Sequence, residues 1–191
     1  GNICITRHMI REFGAASLGE EQRNPVSGIV PGVMAQTGME TLEIIRGVVK
    51  ETHPDLIIAV DALAARSTRR LNRTIQITDT GINPGSGVGN HRNGLNKQVL
   101  GIPVIAIGVP TVVDAATIVN DTMESLIHAL DMEDYAQKYQ LIKERIPSHL
   151  NTMFVTPKDI DETVKYLSFM ISESLNKVFF EERPEEQPLQ A

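Results

Sequence analysis

Apolar positions along the chain follow two different periods, one of helices and one of strands. Thr37-Gly38-Met39-Glu40 has the form of a capping box, in which the Thr hydroxyl accepts an amide three residues on and Glu40 reaches back. Behind it Leu42, Ile45, Val48 and Val49 share one helical face, and His53-Pro54 ends the helix, because the residue before a proline is pushed out of the α region. Leu56 to Val60 is apolar throughout, the pattern of a parallel strand covered on both faces. Thr74 to Thr78 alternates polar and apolar and predicts a half-exposed edge strand, whereas Ile102 to Val109 reads as a second buried strand, stopped by Pro110. A second cap, Thr111 to Asp114, opens a helix expected to bury Ala115, Ile118, Val119, Leu126 and Leu130. Residues 133–146 form a polar helix. Thr156-Pro157-Lys158-Asp159 starts a last one, with Ile160, Val164, Leu167, Ile171, Leu175 and Val178 as its apolar stripe. That stripe is expected to pack on the sheet or on another subunit. Upstream, residues 2–13 read as a helix or the end of one. Residues 14–25 read as a polar connection, and Val26 to Val30 as a short strand closed by Pro31-Gly32.

Strands and helices in alternation define an α/β layer fold, expected as a single domain over residues 1–180 with a disordered acidic tail over 181–191. Composition narrows the class. Hydrophobic residues make up 41% and charged residues 22%, an ordinary balance for a globular protein, and no apolar run approaches the roughly 20 residues that cross a bilayer. A net charge of −6 argues against nucleic-acid binding, which needs a basic surface. The single cysteine, Cys4, sits among aliphatic residues and reads as packing; with no partner for a disulfide, it fits a reducing cytoplasm. The chain begins Gly1-Asn2-Ile3 without a methionine, which fits a fragment or processed product and an artificially added terminus equally.

Candidate chemistry centres on Asp61, read as an acid at the carboxyl end of a buried strand, where open α/β sheets bind ligands. Desolvated there, a carboxylate serves as acid or base near neutral pH; it also suits a metal ligand or a turn cap. Arg66 is placed to pair with Asp61 or to face solvent. The run Asp79 to Asn90 is rich in glycine, but it lacks the Gly-Lys-Ser/Thr ending of a phosphate loop and the spacing of a dinucleotide fingerprint. It reads as a backbone wall for a peptide or an oxyanion, or as a plain surface loop. Of the five histidines only His91 lies near this loop, and none pairs with another at metal-ligand spacing. No Gly-x-Ser-x-Gly elbow is present, which speaks against an α/β-hydrolase.

Five stretches carry a family resemblance: Ile29 to Met34, Ile58 to Arg66, Asp79 to Asn90, Gly101 to Asp114, and Val155 to Lys158 with the helix that follows. Together they resemble the germination protease of spore-forming bacteria over most of residues 1–180. The resemblance implies an endopeptidase of the spore core, hence cytoplasmic, that degrades small acid-soluble spore proteins during germination. It implies a zymogen processed at its N-terminus, a homotetramer, and a three-layer α/β sandwich with a mixed or mostly parallel sheet, similar to the hydrogenase-maturation proteases. The implied mechanism is an atypical hydrolysis by two acids, with no cofactor. One acid matches Asp61. The other lies upstream, in a segment with no counterpart here, and the region from Leu130 to Leu150 is shorter than in long family members. A peptide cleft is expected between the loop Asn83 to Asn90, with Ser86, Gly87 and Asn90, and the turn Met34 to Thr37, with Arg66 beside it. The alternatives are a metal-dependent peptidase of the maturation type, with Asp61 as ligand and His91 as helper, and an inactive interaction module that uses the stripe from Ile160 to Val178.

Overall fold

Eleven residues, Val104–Asp114, form the strand that carries most of the core. Val104, Ala106, Ile107, Val109 and Val113 on it are all at most 7% exposed, and Pro110 is fully buried. The structure, a computed structural model, describes Glu12, Gly14 and residues 25–85, 93–130 and 135–180. The expected helix over 2–13, the connection that follows, and the acidic tail lie almost wholly outside the described residues. The chain divides into two compact units, Pro31–Ile160 and Gly1–Val30 with Asp161–Ala191.

The first unit holds a mixed four-stranded sheet: β1 (Ile57–Ala65), β2 (Gln76–Thr78), β3 (Val104–Asp114) and β4 (Phe154–Val155). β1 runs parallel to β3, pairing Ile57 with Val104 through to Ala65 with Val113. β2 and β4 run antiparallel to β3, pairing Gln76 to Thr78 with Gly108 to Ala106, and Val155 with Val113. A strand has two edges, and β1 fills one of them along its length, so β2 and β4 share the other. Helices α1 (Met34–Thr37) and α2 (Thr41–Thr52) precede the sheet; α3 (Lys97–Leu100) leads into β3, and α4 (Ala115–Ala129) and α5 (Tyr135–Arg145) follow it. The second unit contributes nearly all of α6 (Ile160–Phe180).

Several expected boundaries move, each for a local reason. Residues 27–30 are not a strand; Val26 forms only an isolated bridge. Thr37 does not cap α2. It ends the single turn α1 beside Gly38 in the left-handed region, and its hydroxyl donates to Val33 O and Met39 O (3.3 and 3.2 Å). The capping box lies three residues later, where Glu40 and Glu43 exchange side-chain and backbone bonds, with Glu40 N donating to Glu43 at 2.8 Å. The α2 face is as expected, with Leu42 buried and Ile45, Val48 and Val49 half-buried, and the helix ends on His53 at φ 48°.

Pro110 does not stop β3. It pairs with Leu63, and the register with β1 shifts immediately after, so that Ala64 pairs with Val112 and Thr111 is the extra residue of a bulge. Such a position tolerates a residue without an N–H. Nor is β1 covered on both faces: Val60 is 56% exposed, because β1 is the edge of the described sheet and not its centre. β2 lies along β3 as a short strand with all three residues exposed, Ile77 by 69%, so the half-buried face that its alternation predicts is not covered.

Asp114 is the cap of α4, accepting from Thr117 N at 2.7 Å and Thr117 Oγ1 at 2.8 Å. The buried face of α4 is rotated from the expected one. Ala116 and Ile127 are buried, while Val119, Leu126 and Leu130 are exposed, since α4 carries apolar residues on two faces and only one is covered. Thr156 does not cap α6, which starts at Ile160. Its hydroxyl donates to Thr111 O of β3 at 2.8 Å, and Asp161 and Glu162 in the first turn complement the helix dipole. Within α6, Leu167, Ile171 and Leu175 are half-buried and Val164 and Val178 exposed. Replacing Asp114 by Ala removes both bonds at the α4 N-terminus and lowers stability by about 1–2 kcal/mol. The shift of the urea midpoint reads it, and Asp114→Asn, which keeps an acceptor oxygen, loses less.

Candidate active site

Asp61 lies in the middle of β1, not at its end, because β1 stays paired with β3 for four residues beyond it. Residues paired across a sheet point to the same face. Asp61, Gly108 and Gln76 therefore form one row across three strands, beside a second row of Ala59, Ala106 and Thr78. Asp61 is half-buried among these small side chains. Gly108 is required there. A Cβ on it would press on the Leu63 side chain, 2.8 Å from Cγ and 3.2 Å from Cδ2, so Leu63 lies over the glycine diagonally from Asp61.

The carboxylate turns toward the outer edge of β1. Ile57 N donates to Pro103 O, so the amides of residues 57, 59, 61 and 63 face β3 and those of 58, 60 and 62 face away. Asp61 Oδ1 accepts the outward N–H of Ala62 at 2.9 Å. Arg66 cannot pair with Asp61 as one reading expected: five extended residues separate their Cα atoms by about 16 Å, and Arg66 projects exposed from the turn after β1.

The glycine-rich loop lies at the other end of the strands from the one expected. Since β2 is antiparallel, the chain leaves Thr78 opposite Ala106, toward the amino ends of β1 and β3, about 7 Å along the sheet from the Asp61 row. The loop stem is fixed by reciprocal bonds, Ile82 N to Leu95 O at 2.9 Å and Leu95 N to Ile82 O at 2.7 Å. Gly81, at φ +85°, backs directly onto Leu95 and Asn96, and the Asn83 side chain sits against Gly94, so both glycines are needed for close approach. Ser86, Gly87, Asn90 and His91 lie outside the described residues. Past the loop, Asn93 Nδ2 donates to Glu40 Oε2 at 2.9 Å, three residues beyond the turn that carries Met34 and Thr37. Glu40 thereby joins the N-terminus of α2 to the glycine-rich loop, a role that the sequence reading assigned to neither residue.

Asp121 on α4 is a second residue the sequence reading missed. Its Oδ2 accepts from Ser67 Oγ (3.1 Å), Thr68 N (2.7 Å) and Thr68 Oγ1 (2.8 Å), pinning the turn after β1 to the helix 53 residues on. Beside it opens a cleft of about 820 Å³ lined by Ser67, Thr68, Arg69, Glu124, Ser125 and His128. Only the distance in sequence hid this anchor, as an Asp in a helix interior is poorly explained by local bonding. Among the described residues no three His, Cys, Asp or Glu side chains come together as a metal site, and no helix is long and apolar enough to cross a membrane.

A parallel strand pair with a half-buried carboxylate turned to its edge, joined to antiparallel strands and a glycine-rich loop, defines an α/β protein with one candidate acid. Residues 1–135 match the family model described as germination protease. The chain is 46% identical to the germination protease of Caldanaerobacter subterraneus subsp. tengcongensis, over 92% of this chain and 58% of that protein. It is 46% identical to that of Clostridium acetobutylicum over the same shares, and 40% identical to that of Bacillus velezensis over 94% of this chain and 60% of the relative. The chain belongs to the germination protease family, a family of peptidases, and spans about three fifths of the length of these relatives.

Two variants test this geometry. Gly108→Val forces Leu63 away from the Asp61 row and destabilises the fold by about 1–3 kcal/mol. Asp121→Ala leaves the Ser67 and Thr68 donors without their common acceptor and costs about 1–3 kcal/mol. Chemical denaturation measures both, and amide exchange in residues 66–70 of Asp121→Ala is expected to quicken ahead of the rest.

Proposed function

We propose that this chain is the catalytic part of an endopeptidase that cleaves small acid-soluble spore proteins in the spore core during germination. Family membership supports the peptidase class, and the half-buried carboxylate of Asp61 at the edge of β1 is the observation that carries the assignment of the acid. Asp61 accepts a proton from water as the water attacks the scissile carbonyl. A second acid, from the upstream segment, holds the proton that the leaving amine requires. Only two acids held in different protonation states divide these tasks. The turn around Met34 and Thr37 and the loop from Asn83, through Ser86 and Gly87, to Asn90 border the peptide, and the bond between Glu40 and Asn93 supports their being neighbours. In this reading the reaction needs no cofactor. The whole protein is a homotetramer made as a zymogen, and its fold is the three-layer sandwich of the hydrogenase-maturation proteases.

The test is cleavage of a purified small acid-soluble spore protein by the natural protein, wild type beside Asp61→Asn, with and without chelator. Asp61→Asn keeps the size of the side chain and removes the base, so the rate falls by about 100-fold or more. Cleavage that survives the substitution removes Asp61 from the mechanism. Cleavage lost in chelator and restored by a divalent ion makes Asp61 a metal ligand instead.

A further inference from the structure

The connection from β1 to β2 reads Arg66-Ser67-Thr68-Arg69-Arg70-Leu71-Asn72-Arg73, four arginines in eight residues with no acid among them, in a chain whose net charge is −6. All four arginines are exposed. None makes a side-chain hydrogen bond or ion pair with a described residue. Asp121, which meets this turn, already accepts three bonds from Ser67 and Thr68, and Glu124 lines the same cleft as Arg69.

The backbone that carries these arginines is held at both ends. Asp121 fixes its start. Asn72, in the left-handed region at φ 57°, donates its N–H to Pro110 O of β3 at 2.8 Å and fixes its end. Between them a single 3-10 turn, Thr68–Arg70, closes with Leu71 N to Thr68 O at 3.3 Å, and Arg73 N to Arg70 O at 3.1 Å adds a turn just past Asn72. Four cations are thus presented on a braced turn at the carboxyl end of β1. Placing like charges together on a protein surface is unfavourable unless an anion meets them.

Resting on the reading of Asp61 as catalytic, we infer that the turn Arg66–Arg73 docks an acidic stretch of the polypeptide substrate, offset from the scissile bond. A guanidinium pairs a carboxylate through two parallel hydrogen bonds, which suits a run of Asp and Glu side chains. A nucleic acid fits less well, since its continuous charge meets an otherwise acidic protein. The offset follows from the strand. Arg66 is about 16 Å beyond Asp61 along β1, the length of about five extended residues of substrate. From there the chain turns back, with Asn72 N meeting O of Pro110, the partner of Leu63, so Arg73 stands nearer the Asp61 row than Arg66 does.

Anisotropy of a short fluorescent peptide carrying a run of glutamates, titrated with the natural protein, tests the docking without relying on cleavage. The variant Arg69→Gln, Arg70→Gln and Arg73→Gln is expected to weaken binding about tenfold, and the variant with Lys at the three positions, which keeps the charge but not the paired bonds, to fall between the two. Asp61→Asn binds like wild type. In cleavage, substrates with acids within about five residues of the scissile bond lose their advantage in KM with the Gln variant, while kcat holds. Equal binding by wild type and the Gln variant overturns the inference, as does equal binding of a glutamine peptide. Displacement by oligothymidylate of matched charge at the same concentration reassigns the turn to nucleic acid. A wild type that cleaves nothing overturns the peptidase reading, and the anisotropy still decides the docking surface.

Discussion

Pro110 has no N–H, and the middle of the sheet is arranged around that missing donor. β3 runs straight into it and continues, because Pro110 faces away from β1 and lies beyond the paired end of β2, where no described strand needs its N–H. The carbonyls around the bulge then become acceptors for other parts of the chain. Pro110 O takes the N–H of Asn72 and so anchors the end of the arginine turn. Thr111 O takes the hydroxyl of Thr156, which brings in β4 and the approach to α6. Beyond the bulge, β3 lasts long enough for Asp114 to cap α4. A β3 that stopped at Val109 would lose all three attachments.

The same strand sets the surroundings of the candidate acid. Its alternation puts Ala106 and Gly108 opposite Ala59 and Asp61, so the row beside the carboxylate is narrow and Leu63 covers it. Around this row, long-range polar bonds do the positioning. Asp121 holds the turn that leaves β1, and Glu40 holds the loop that leaves β2. Both anchors are carboxylates that accept from neighbouring donors. The bonds to Asp121 are partly buried, where a lost partner leaves a charge poorly solvated, whereas the Glu40–Asn93 bond is exposed.

Much of this was legible along the chain. The α2 face, its end at His53, the β1 and β3 cores, the exposed β2 and the polar α5 follow from periodicity and from where Pro and Gly fall, because burial of one face imposes a repeat on neighbouring residues. The five resembling stretches also pointed to the family, since they are contiguous and long. What the pattern did not reveal depends on partners far away. Thr37 and Thr156 look like helix caps, yet each hydroxyl finds another acceptor, one of them 45 residues distant. Asp61 ends an apolar run, yet pairing with β3 extends the strand through Ala65.

By itself, then, the sequence determined which segments bury a face, where turns are forced, and that Asp61 and the glycine-rich run are the unusual features. The tertiary structure alone decided that Asp61 lies mid-strand and that the glycine-rich run leaves toward the amino ends. Periodicity carries no information on strand direction, and the antiparallel pairing of β2 sends the loop toward the amino ends of β1 and β3. It also decided that Arg66 is carried away from Asp61 and joins a braced cluster of arginines, because only an extended, paired β1 and an anchor on α4 fix where that turn can stand.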